Sequence, residues 1–159
     1  MKNFTAITLL ELIIALSIAT ILALVTYGTL SDIKIGYRRK EAQTELIKLK
    51  AIIQEQAVKY SCSAIDVAIW LNTGANTGCT ALPAGSAYLP IITPNQFYTL
   101  TLTTSSAGSV PTVILTATPV VNGPQSKDSD CTTIVLTSTM GIIDDIKSAT
   151  GDRPANCWQ

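Results

Sequence analysis

The chain has 159 residues, with 11 basic and 11 acidic side chains and a formal net charge of zero. That length fits one globular domain rather than two, and the charge balance excludes a chain-wide basic surface for nucleic acid. It has no histidine, which removes the commonest general base and the commonest metal ligand together.

A short basic lead, Met1 to Ala6, opens the chain. From Ala6 to Leu30 the sequence is apolar, without proline, and carries one formal charge, Glu11. About 20 apolar residues are enough for a helix to cross the hydrocarbon core of a bilayer. A carboxylate inside such a run is costly and needs a reason. The run is too long for a cleaved secretory signal, whose apolar region holds about 7–15 residues. A plain membrane anchor fits the length but gives Glu11 no purpose beyond snorkelling towards the headgroups.

The stretch Ala6-Ile7-Thr8-Leu9-Leu10-Glu11-Leu12 resembles the N-terminal motif of type IV pilins and type II secretion pseudopilins. In that family a dedicated membrane peptidase removes a short basic leader ending in glycine. The new N-terminal residue, usually phenylalanine, is N-methylated, and the fifth mature residue is glutamate. The resemblance places the cut between Ala6 and Ile7, N-methylation on Ile7, and the glutamate at Glu11. Here alanine stands where the family has glycine, and isoleucine where phenylalanine is usual. The implied role of Glu11 is to neutralise the N-terminal amine of a neighbouring subunit, since a buried charge is tolerable only when paired. The expected organisation is a leader over 1–6, a transmembrane and fibre-core half-helix over 7–30, and a head over 31–159.

Beyond the apolar run, Ser31 to Tyr60 contains no proline. Ala42, Leu46, Leu49, Ile53, Ala57 and Tyr60 follow a three-four spacing that predicts one apolar helix stripe. One helix from about Thr8 to Tyr60 would be ~80 Å long, with Gly28 and Gly36 as its weak points. The Arg38-Arg39-Lys40 run reads as a solvated helix face, part-neutralised by Glu41 and Glu45, ahead of a nucleic-acid or anionic-lipid patch. Lys34 and these cations, read by the positive-inside rule alone, would place the head in the cytoplasm. The cysteines and the family resemblance argue for the opposite side.

Four cysteines, Cys62, Cys79, Cys131 and Cys157, read as two disulfides in an oxidising compartment. Of three pairings the sequential one is favoured, Cys62–Cys79 and Cys131–Cys157, because each then closes a modest loop. Cys62 to Leu71 fits a short helix, and Asn72 to Gly78 a turn-rich loop. Phe97–Thr103, Val110–Thr118 and Thr132–Thr137 read as strands, with Ile142-Ile143 as a fourth and an irregular tail from Ser148. The expected fold is therefore α+β, a long N-terminal helix packed on a three- or four-stranded antiparallel sheet.

Tyr98-Thr99-Leu100, Ala117-Thr118-Pro119, Gln125, Asp130-Cys131-Thr132 and Cys157-Trp158 resemble the C-terminal half of a minor type IV pilin. The resemblance implies a pilus subunit that is no enzyme and uses no cofactor or metal. It implies residence in a bacterial inner membrane with a periplasmic head, then in an extracellular pilus. Its partners would be the prepilin peptidase, an inner-membrane assembly platform, the membrane itself before assembly, and other pilins in a helical fibre. Nucleic acid is the less favoured partner. The rival readings are a pilus-associated adhesin or DNA-uptake pilin, and a type II secretion pseudopilin. Catalytic patterns do not emerge: Asp128 with Asp130, and Asp144 with Asp145, read as solvated turns rather than calcium or acid–base sites, and a cysteine nucleophile would lack its histidine.

Overall fold

Helix α1 spans Leu9–Lys59, 51 residues, and is helical throughout, Gly28 and Gly36 included. The computed structural model describes residues 8–76, 78–83, 85, 88–105, 111–139 and 146–158, and leaves aside the side chains of residues 25–29. The expected leader and the Ile142-Ile143 strand lie outside the described residues. The chain divides into two compact units, Met1–Gly36 and Tyr37–Gln159.

In the first unit, Thr8 stands just before α1; its hydroxyl accepts the Glu11 N–H at 3.3 Å and its carbonyl accepts the Leu12 N–H at 3.2 Å. This is the N-cap arrangement that satisfies donors left open by the first turn.

In the second unit α1 becomes one-sided. Ala42, Leu46, Leu49 and Ile53 are buried, with Ala57 and Tyr60 packed at the margin. The predicted stripe is the core face, as three-four spacing requires of a helix covering a sheet. Helix α2, Ala64–Thr73, follows. Ser63 caps it: its Oγ accepts the Asp66 N–H at 3.2 Å and donates to Asp66 Oδ2 at 2.8 Å. Gly74 ends it at φ 75°, a left-handed conformation that glycine adopts without cost, and its N–H bonds to the Trp70 carbonyl.

Among the described residues the sheet has five antiparallel strands in chain order, β1 (Ile91–Ile92), β2 (Tyr98–Ser105), β3 (Thr112–Pro119), β4 (Thr133–Thr139) and β5 (Ile146–Thr150). That is more than the three or four expected. Strand β1 is two residues between Pro90 and Pro94, too short to show alternation. Strand β5 replaces the start of the expected irregular tail. It is an edge strand, mostly exposed, with Ala149 alone packed on the core, so burial imposes little pattern on its sequence. The β1–β2 turn is closed by buried Thr93, whose Oγ1 accepts the N–H groups of Phe97 and Tyr98, each at 3.2 Å.

Register puts the apolar positions on one face. Leu102 lies opposite Leu115 and Leu115 opposite Leu136, while Leu100 lies opposite Ala117 and Ala117 opposite Ile134. All are buried together with Tyr98 and Val113. A one-residue slip would turn this whole set outwards. The intervening positions of β2 to β5 are threonine, serine, isoleucine or valine without exception, and none is buried.

Both expected disulfides are present. Cys62–Cys79 ties the end of α1 to the loop after α2, and Cys131–Cys157 ties the start of β4 to a short 3-10 turn, Pro154–Trp158. Gly151, at φ 139°, lets the chain pass close to the backbone of Asp130 and Cys131. A Cβ there would collide with the Asp130 carbonyl, and the backbone conformation itself favours glycine.

Leu46 has no exposed surface and sits at the centre of the helix stripe. Truncation to Leu46→Ala is expected to cost about 2–5 kcal/mol of unfolding free energy, read as a lowered urea midpoint at unchanged slope.

Candidate functional site

Two regions concentrate features that folding alone does not require. The first is the start of α1. Leu9, Leu10, Leu12, Ile13, Ile14, Leu16 and the apolar residues onward to Leu24 are all exposed, Leu24 by 78 %. They occupy every side of the helix rather than one stripe. A contiguous apolar surface of this kind marks an interaction surface rather than a water-facing one. Among the described residues, however, no helix is long and apolar enough to cross a membrane. The hydroxyls within the run are turned back on the helix: Ser17 Oγ donates to the Ile13 carbonyl at 2.7 Å and Thr20 Oγ1 to the Ser17 carbonyl at 2.8 Å.

Glu11 lies in the first turn of α1. A carboxylate there is favoured by the unpaired N–H groups and the positive end of the helix dipole. Thr8-x-x-Glu11 has the residue types of a capping box, a local signal for a helix start that neither the assembly nor the snorkelling reading of Glu11 uses. Ala6 and Ile7, the expected cleavage and methylation positions, lie outside the described residues.

The second region joins α1 to the disulfide-closed C-terminal segment. Arg39 and Asp128 form a two-pronged pair, Nε to Oδ2 at 2.8 Å and Nη2 to Oδ1 at 2.6 Å. Their side chains are 13 % and 3 % exposed. Gln125 Nε2 donates to the same carboxylate at 2.6 Å, and the Cys131 N–H does so at 3.3 Å. Asp130 stands 3.6 Å from Arg39 and 3.8 Å from Arg153. Gln43 Nε2 donates to the Cys157 carbonyl at 2.5 Å. A planar guanidinium gripping a carboxylate with two parallel bonds fixes orientation as well as charge. The hydrogen bond to Asp128 holds the Arg39 guanidinium above its ordinary value, against the opposing effect of burial.

This corrects two expectations. Arg39 is a part-buried anchor, not a member of a solvated face, and Asp128 is buried rather than set in a solvated turn. Arg38 is engaged too, donating to the Pro124 carbonyl at 3.1 Å and lying 4.9 Å from the centre of the Phe97 ring. The two arginines of the basic run are therefore engaged within their own chain.

Tyr98 abuts this network. Burial first, and the charge of Asp128 next, push its hydroxyl above the usual tyrosine range. Neither the Tyr98 hydroxyl nor Gln125 Oε1 closes a hydrogen bond among the described residues, although both are buried.

Between α1 and the Pro94–Asn95 turn lies a shallow groove of about 270 Å³, lined by Tyr37, Lys40, Glu41, Thr44, Pro94 and Asn95 among others. Glu41 holds the turn, accepting from the Asn95 N–H at 3.1 Å and from Nδ2 at 2.7 Å. The groove falls short of the roughly 300–1,000 Å³ typical of small-molecule sites. Among the described residues no group of acidic or cysteine side chains is arranged to hold a metal ion. Comparison with protein-family models, curated proteins and solved structures finds no match.

Removing one partner of a buried pair strands the other charge. Arg39→Ala is therefore expected to cost about 3–5 kcal/mol, against about 1–2 kcal/mol for Arg38→Ala, which loses an exposed hydrogen bond and a surface cation–π contact; urea unfolding of both variants checks the contrast. The raised Tyr98 value gives a second expectation. In the unfolded chain Tyr98 ionises near its ordinary value of 10.0, while the folded chain keeps its proton. Its contribution to stability is full below pH 10 and is lost as pH rises above it. Unfolding measured at pH 8 and pH 11 is expected to show a smaller decline for Tyr98→Phe than for the unaltered chain.

Proposed function

We propose that this chain is a structural subunit of a type IV pilus, of the minor-pilin kind, contributing to fibre assembly or priming. The observation that carries the reading is the start of α1, where exposed apolar side chains surround the helix and one carboxylate sits in its first turn. Water is a poor solvent for that surface. A bilayer and a bundle of like helices are both good ones, and a subunit that moves from the first to the second needs a helix apolar on every side. The α+β arrangement, with α1 supplying the helical face of a sheet-backed core and a disulfide closing the C-terminal segment, supports a pilin-like head.

The proposed sequence begins with cleavage between Ala6 and Ile7 and N-methylation of Ile7. The subunit is held in the inner membrane through the apolar half of α1, with its head in the periplasm. Cleavage leaves an ammonium at Ile7, the residue next to the Thr8 cap. During entry into the fibre, Glu11 accepts that ammonium from a neighbouring subunit. An unpaired carboxylate at this depth would cost several kcal/mol, so pairing selects the correctly docked subunit. The Thr8 hydroxyl keeps the first turn wound while the pair exchanges.

Mass spectrometry of fibres sheared from cells is the direct test. The expected result is a trace component whose N-terminus is methylated Ile7. With Glu11→Ala, a processed and stable chain is expected to remain in the membrane fraction, with its content in fibres reduced at least tenfold. A fibre-borne chain starting at Met1, or normal incorporation of Glu11→Ala, would overturn the mechanism.

A further inference from the structure

We propose that the outer face of the β2–β5 sheet is a self-docking surface, on which a second copy of this chain seats face to face. The inference goes beyond the pilus reading and does not depend on it.

The face is neutral. Its strand positions hold only threonine, serine, isoleucine and valine, and none is buried. Charge is plentiful nearby in the same unit, as in the Lys48–Glu45 pair on α1, so the neutrality belongs to this face and not to the unit. Exposed sheet surfaces usually carry charges that keep molecules apart, and this one has none.

Its pattern is that of a small interface. Thr116 lies opposite Val135, and the next row sets Ile114 opposite Thr137. Ile114 and Val135 are therefore diagonal neighbours at the centre of the face. Ile146, 61 % exposed, lies opposite Thr137 on the other side. Threonines flank this apolar centre, Thr101 opposite Thr116 and Thr99 opposite Thr118. An apolar centre within a polar rim is how protein interfaces are built. β-Branched side chains are stiff at χ1, so docking them immobilises little that was free.

The same features choose the occupant. With no charge, the face offers nothing to nucleic acid, an anionic lipid or a charged peptide. With no aromatic ring, it offers no stacking platform to a sugar. A second copy matches it without like-charge repulsion, and a two-fold axis brings the same patch to both sides. Four strands ~4.8 Å apart and up to ~25 Å long give roughly 500 Å² in plan. Two such faces reach about 1,000 Å², the lower edge for a specific interface. The contact is accordingly weak, and forms where chains are crowded.

The test uses the full chain in a neutral detergent, which covers the apolar half of α1, followed by sedimentation over a series of concentrations. The unaltered chain is expected to dimerise reversibly. Thr116→Lys and Thr116→Glu, each alone, set like charges across the two-fold axis and are expected to weaken dimerisation at least tenfold. Mixed together, the two variants are expected to recover it, a result that a folding defect would not give. Dimerisation equal in Thr116→Lys and the unaltered chain would assign association to another surface and overturn the proposal. So would a mixture that stays monomeric, or an unaltered chain that stays monomeric at every concentration. An unaltered chain that remains monomeric but is retarded on a neutral polysaccharide matrix would give the face to a glycan instead.

Discussion

The core of the second unit closes on the stripe formed by Ala42, Leu46, Leu49 and Ile53. The sheet has two faces but one apolar set, so it needs a cover, and this helix supplies it with α2. The stripe fixes how α1 is rolled about its axis. That roll in turn sends Arg39 towards Asp128, Gln43 towards the Cys157 carbonyl and Glu41 towards Asn95. The polar anchors are thus consequences of the apolar one. Each would be out of reach if the helix were turned by a single residue, since successive residues are about 100° apart.

The Arg39–Asp128 pair adds direction rather than bulk stability. Taking both charges out of water is expensive, and the exchange is near neutral against apolar packing. What the pair provides is a fixed seat for the C-terminal segment, since the same carboxylate also holds Gln125 and the Cys131 N–H. The disulfide restricts where Cys157 can go, and the carboxylate settles where the loop rests. Trp158 then covers β5, its Nε1 donating to the Ser148 carbonyl at 2.7 Å with Lys147 over its ring. An edge strand that would present an open backbone has part of it occupied.

Much of this was legible in the sequence where burial is periodic. The three-four spacing from Ala42 gave the helix face, and alternation in β2, β3 and β4 gave the inward residues. The cysteine pairing followed from loop size. Legibility failed where burial is not periodic. Strand β5 faces water on most sides and so shows little alternation. Strand β1 has two residues and no room for a pattern. Arg39 and Asp128 are 89 positions apart, and within a run of cations nothing local separates the one that turns inward. The Thr8 cap has a local signature, Thr-x-x-Glu, but the same glutamate also fits a role in assembly, so the pattern alone does not single out the cap.

The strands lie side by side in the order in which they occur in the chain. A chain delivered N-terminus first therefore never has to wait for a distant strand: each new hairpin finds its partner already in place, and the entropy of closing long loops is avoided. The cost falls on α1, whose stripe is made first and stays bare until the meander reaches it. Cys157 follows β5 in the chain, so its bond to Cys131 closes only after all five described strands have been laid down. A product cut short before Cys157 therefore keeps Cys131 without its partner, and that thiol marks the missing closure.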